Sequence, residues 1–148
     1  MQNKIMKKKI MLCLLFSCFF LFLASCSANK NNGEIQNLSP QETAGLLAQK
    51  EENGLFVLNV HTPYAGEIEK TDAIIEDWQN IAAHVNQLPE DKNTPILVYC
   101  RSGRMSSSAV QQLQALGYTN ISHLDGGMLA WQEQGFSIIN ASIKLFEE

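Results

Sequence analysis

The chain has 148 residues, 45% of them hydrophobic and 18% charged, which suits one domain with a core of its own. Fifteen acidic residues outweigh eleven Lys and Arg for a formal charge of −4, and four of the cations, Lys4, Lys7, Lys8 and Lys9, crowd the extreme N-terminus. Beyond residue 25 seven cations face fifteen acids, a formal −8, which argues against nucleic acid as a partner.

In chain order the first element is a leader. Residues 10–24 form an apolar run behind the lysines, and the run ends in Leu23-Ala24-Ser25-Cys26. A positive start, a short apolar core and small residues at a cleavage site describe a secretory signal. The run is also short of the ~20 residues that a spanning helix needs. Small residues directly before a cysteine resemble the lipobox of bacterial lipoproteins. That resemblance implies a signal peptide over residues 1–25, cleavage before Cys26, and a lipid on Cys26 that anchors the exported protein to the bacterial cell membrane. Cys13 and Cys18 would leave with the leader, so Cys100 remains the single thiol of the domain and no internal disulfide can form. Residues 27–37, SANKNNGEIQN, are polar and Asn-rich; with Cys26 they read as a tether, leaving the domain to residues 38–148.

Ser39-Pro40-Gln41-Glu42 is a capping box with proline at the first helical position, and Asn53-Gly54 stops the helix that it starts. Residues 55–60, LFVLNV, read as a buried strand, and a loop leads to a short apolar run at Ala73-Ile74-Ile75. Trp78, Ile81, Val85 and Leu88 recur at helical spacing and predict one amphipathic helix. Residues 96–99, ILVY, are a second buried strand. Met105, Ala109, Val110, Leu113 and Leu116 line a helix that ends at Gly117. Residues 121–124 form a third strand, Asp125-Gly126-Gly127 a turn, and residues 128–134 a short helix closed by Gly135. The alternation predicts a single α/β domain with a central, mainly parallel sheet covered by helices on both faces.

Cys100 lies where a strand hands over to a helix, the place where sites form in α/β sheets. A helix N-terminus offers unpaired N–H groups and a partial positive charge that favour a thiolate or a bound anion. Arg101 and Arg104 add charge of the same sign, and between Lys92 and Lys144 they are the only cations. Gly103 allows the tight curl. A buried structural cysteine after an apolar strand is the competing reading. Enzymes that transfer phosphate with this design place an arginine six positions after the cysteine; here that position is Ser106, which argues against phosphatase and arsenate-reductase chemistry.

The combination of Cys100-Arg101-Ser102-Gly103, Leu116-Gly117-Tyr118, Leu124-Asp125-Gly126-Gly127 and Ala130-Trp131 resembles the second half of a rhodanese domain, with coverage from Leu38 to Gly135. The resemblance implies a sulfurtransferase. Cys100 would accept a sulfane sulfur from a donor such as thiosulfate and pass it, as a persulfide, to a thiol or to cyanide. By carry-over the active loop runs from Cys100 to Met105, through Arg101, Ser102, Gly103 and Arg104, with backbone N–H groups around the persulfide. The partners implied are a small anionic sulfur donor and a thiol acceptor; no metal or cofactor is needed, and a monomer is expected.

Several residues depart from the family pattern. The first strand ends Asn59-Val60-His61 where Asp-Val-Arg is common, so Asn59 loses a charge that often braces the loop, and His61 brings a titratable group to the pocket. Glu67 would put negative charge nearby, and Met105 stands where a polar residue or Arg is frequent. His84 is expected at the surface and His123 packed in its strand; the three histidines have no zinc-site spacing. A non-catalytic binding module, or thiol-redox work at Cys100, are the alternative readings.

Overall fold

The computed structural model describes residues 33–139. The leader, Cys26 and all but the end of the tether lie outside these residues. Five parallel strands form one sheet in the order β1-β5-β4-β2-β3. They are β1 (Gln36–Leu38), β2 (Phe56–Asn59), β3 (Ala73–Ile74), β4 (Ile96–Tyr99) and β5 (Ile121–Leu124). Helices α1 (Pro40–Ala48), α2 (Lys50–Asn53), α3 (Arg104–Ala115) and α4 (Gly127–Glu133), with a 3₁₀ helix at Ile81–Gln87, connect and cover them. The expected α/β class is observed.

Strand β4 lies at the centre, and every residue of ILVY is buried, as a strand packed on both faces requires. Its side chains alternate between two cores. Ile96 and Val98 join Leu58, Val60, Ile81, Val110 and Leu113 under α3 and the 3₁₀ helix. Leu97 and Tyr99 join Val57, Leu47, Met128 and Trp131 under α1 and α4. Each fully buried aliphatic side chain of this kind stabilises the fold by about 1.5–3 kcal/mol before entropy is counted.

Helix α1 begins as its sequence dictates. Ser39 caps it, the Ser39 hydroxyl accepts from Glu42 N, and the Glu42 carboxylate accepts from Ser39 N at 2.8 Å. Such a cap stabilises by about 1 kcal/mol. The helix breaks at Gln49 and resumes as α2, which Gly54 ends in the left-handed conformation, φ +64°.

Two expectations need correction. Gln36 and Asn37, read as the end of the tether, belong to edge strand β1, paired with Ser122 and His123 of β5. Three residues with a polar alternation carry no strand signal by themselves; pairing with β5 makes the strand. The amphipathic helix through Trp78 and Leu88 is instead the 3₁₀ helix, with His84 at non-helical angles. Ile81 and Leu88 are buried, but Val85 is 46% exposed because the tighter winding swings it out. The Gln112 side chain holds this segment, accepting from Ile81 N at 3.0 Å and donating to Trp78 O at 2.8 Å.

A candidate active site at the β4–α3 turn

Cys100 is the first residue after β4 and continues the alternation of Ile96 and Val98, so its side chain enters the core beneath α3. The residue is 1% exposed. Gly103 follows at φ +86° and caps α3. That left-handed turn costs a residue with a Cβ about 1–2 kcal/mol, which explains glycine here. No side chain caps α3, so the positive end of a 12-residue helix stands uncovered over the thiol. Arg101, Ser102 and Arg104 form the exposed rim of the loop, while Met105 is half-buried and packs against the core.

The second turn, after β5, fixes the shape of the first. Met128 N donates to Cys100 O and Leu129 N donates to Arg101 O, both at 2.9 Å. With those carbonyls directed at α4, the planar trans peptides turn the N–H groups of Arg101 and Ser102 to the opposite side, into the loop. The approach demands glycine. A Cβ on Gly127, at φ +60°, would overlap the Cys100 carbonyl oxygen and stand 2.8 Å from Arg101 C. A loop of inward N–H groups at a helix N-terminus binds an anion or stabilises a sulfur that carries charge.

Behind the cysteine lies a buried polar line. The Ser106 hydroxyl is 3.4 Å from Cys100 Sγ, and His123 Nε2 is 2.9 Å from the Ser106 oxygen. His123 Nε2 also lies 3.2 Å from Gly103 O, and its Nδ1 lies 3.2 Å from Asn37 Oδ1. Ser106 is 0% and His123 5% exposed. In the sequence, Ser106 mattered only as a missing arginine and His123 only as a packed strand residue; the sheet brings them together across 17 positions.

The residues at the end of β2 and after it occupy other places. Asn59 is buried and braces its own loop: its amide donates to Gly66 O at 3.1 Å, and its carbonyl accepts from His61 N at 2.9 Å. With the bracing charge of the family pattern absent, Asn59 ties together residues 59–66. His61 is 8% exposed and its Nδ1 has no hydrogen-bond partner. Burial foremost, then the Arg101 charge, holds the His61 imidazole below its ordinary range, against a smaller upward pull from Glu76. His61 therefore faces the cationic rim as a neutral ring at pH 7. Glu67 is buried, its backbone exchanging bonds with Ile139 at 2.8 and 2.7 Å. Tyr99 reaches from β4 into the same loop; its hydroxyl accepts from Ile68 N at 2.9 Å and pairs with Thr71 at 2.6 Å. Burial pushes the Tyr99 phenol well above its usual range. His84 is half-buried, with Nε2 3.5 Å from Asp77. Among the described residues no three of His, Cys, Asp and Glu gather into a metal cage.

Residues 57–134 match the family model described as the rhodanese-like domain. A protein of Pseudomonas entomophila named thiosulfate sulfurtransferase GlpE is 30% identical over 102 residues, covering 67% of this chain and 86% of that protein. An uncharacterised protein of Synechocystis sp. is also 30% identical, over 104 residues; this chain spans 56% of its length, and the match covers 67% of this chain. A solved rhodanese-like domain protein from Staphylococcus aureus shares the fold with a TM-score of 0.56 at 24% identity, covering 70% of this chain and 97% of that one.

Proposed function

This chain belongs to the rhodanese-like domain family, and on that premise we propose that it is a sulfurtransferase whose nucleophile is Cys100. The observation that carries the reading is the thiol set beneath an uncapped helix N-terminus, inside a loop whose first two carbonyls are tied to α4. The Cys100 thiolate attacks the outer sulfur of thiosulfate; the S–S bond breaks and sulfite leaves with the electron pair. The loop N–H groups stabilise the resulting persulfide anion. An acceptor thiolate or cyanide then attacks the outer sulfur, and Cys100 departs as thiolate. Arg101 and Arg104, both on the exposed rim, attract the dianionic donor and favour release of sulfite. Thiosulfate as donor is supported by the name and the 30% identity of the Pseudomonas entomophila relative. The neutral His61 beside Arg101 leaves the rim's charge to the two arginines.

The test follows thiocyanate from thiosulfate and cyanide, with intact mass of the full chain in parallel. Wild type should gain one sulfur and turn over; Cys100→Ser should do neither. Absence of both signals in wild type across several sulfane donors would falsify the sulfurtransferase reading and favour a non-catalytic binding role.

The protein is further proposed to be exported and lipid-anchored, on the strength of Lys4 to Lys9, the apolar run and Leu23-Ala24-Ser25-Cys26. Metabolic labelling with a fatty-acid analogue should mark the wild type and not Cys26→Ala. Equal labelling of both would remove the anchor.

A further inference from the structure

We infer that Ser106 and His123 form a buried proton relay behind Cys100, in which Ser106 donates to the sulfur whenever it carries charge and His123 holds the proton that the thiol gives up. The inference rests on Cys100 being the nucleophile of the proposed sulfur transfer. Its basis is the line Cys100 Sγ, Ser106 Oγ, His123 Nε2, with separations of 3.4 and 2.9 Å and with Ser106 and His123 both buried; the hydroxyl also lies 3.1 Å from Gly103 O.

The balance is simple. The Cys100 S–H bond breaks as its proton passes to Ser106 Oγ, and the Ser106 hydroxyl proton passes to His123 Nε2. Thiol and neutral imidazole become thiolate and imidazolium, with no change in net charge and no outside reactant. Afterwards the Ser106 O–H points to Sγ, and the Nε2–H points to Ser106.

Both ring nitrogens of His123 lie among hydrogen-bonding oxygens. Asn37 Oδ1 faces Nδ1 and Gly103 O faces Nε2, each at 3.2 Å. An imidazolium carries one N–H on each nitrogen, so the Nδ1–H serves Asn37 Oδ1 while the Nε2–H serves Ser106 Oγ with Gly103 O beside it, and both N–H groups have an acceptor. A buried charge is costly unless paired, and the thiolate one hydroxyl away is the pair. In the persulfide the Sγ atom is uncharged and needs no donor. Charge returns to Sγ as the acceptor pulls the outer sulfur away, so Ser106 acts on Cys100 as nucleophile and as leaving group. Ser106 touches the reacting atom, whereas His123 is a positioning residue that acts through it. Other charged or titratable groups on the packed elements are Arg101 and Arg104 at the head of α3, Asp125 after β5, and His61 after β2. The hydrogen bonds of the His123 ring go to Asn37, Gly103 and Ser106.

The experiment uses iodoacetamide on the full chain, with alkylation followed at the Cys100 peptide by mass spectrometry across pH. Ser106→Ala and His123→Gln should each shift the profile to higher pH and slow alkylation near neutrality about tenfold, the scale of one charge-assisted hydrogen bond. The double variant should be no slower than Ser106→Ala, because His123 works only through the hydroxyl. In the unmutated protein, blocking Cys100 should lower the pH at which the His123 ring titrates by NMR, since the imidazolium loses its partner. Unchanged profiles, additive losses, or a His123 titration indifferent to the block would each overturn the relay. The last measurement stands even where a variant fails to fold. Alkylation needs no sulfur donor: a coupled profile without thiocyanate keeps the relay and removes the sulfurtransferase, and the converse result removes the relay alone.

Discussion

The two strand-to-helix turns that meet at the site are built on one plan. Each leaves a central strand, passes a glycine in the left-handed conformation, Gly103 at φ +86° or Gly126 at φ +68°, and starts a helix with no side-chain cap. They differ in where the helix-start N–H groups go. The second turn gives the Met128 and Leu129 N–H groups to the Cys100 and Arg101 carbonyls, whereas the first returns Ser107 N to Gly103 O at the head of its own helix. Their charges also differ: the first carries Arg101 and Arg104, the second Asp125. On the proposed function one turn is the site and the other its frame, and the frame is where a small change should do most harm.

Glycine substitutions break the comparison most sharply. In Gly127→Ala the new methyl overlaps the Cys100 carbonyl and crowds Arg101, both backbone, so the loop itself must move. Overpacking and the left-handed φ together should cost about 3 kcal/mol and remove sulfur transfer. In Gly103→Ala the nearest atoms to the new Cβ are Gly126 N at 3.5 Å and the His123 ring at 3.7 Å, ordinary contacts. Only the backbone strain remains, about 1–2 kcal/mol, and activity should survive in part. Thermal unfolding and thiocyanate assays of both variants decide the order. Equal losses would mean that the two turns are not frame and site.

How legible these turns were in the sequence differs for physical reasons. The first could be found from local signals: a fully apolar strand, a cysteine at its end, a glycine and a helical pattern. The motif Asp125-Gly126-Gly127 marked a turn, but only the fold shows that Gly127 is pressed against Cys100 O. The capping box at Ser39 survived intact because both of its partners are three residues apart. Strand β1 did not show itself, since Gln36 and Asn37 become strand only by pairing with β5. Spacing also misled at residues 78–88, where Gln112 and the break at His84 override a helical period. The Ser106–His123 contact was invisible for the same reason as β1, because it depends on how β5 lies beside β4 under α3.

The smallest expected effect tests whether the charge difference between the turns is felt beyond them. His61 titrates below its ordinary value of 6.5, through burial first and the Arg101 charge second. At pH above 6.5 the ring is neutral folded or unfolded, so its contribution to stability is fully present there. As pH falls from 6.5 toward the folded value, the unfolded chain takes up a proton that the folded one resists, and stability is lost. Arg101→Gln removes the second cause and leaves the first, so the His61 titration by NMR should move up part of the way toward 6.5. The loss of urea stability on acidification should shrink with it. Asp125→Asn, in the other turn, should leave the His61 titration where it was. A His61 midpoint unmoved by Arg101→Gln would mean that burial alone sets it, and that the cationic turn does not reach across to the loop after β2.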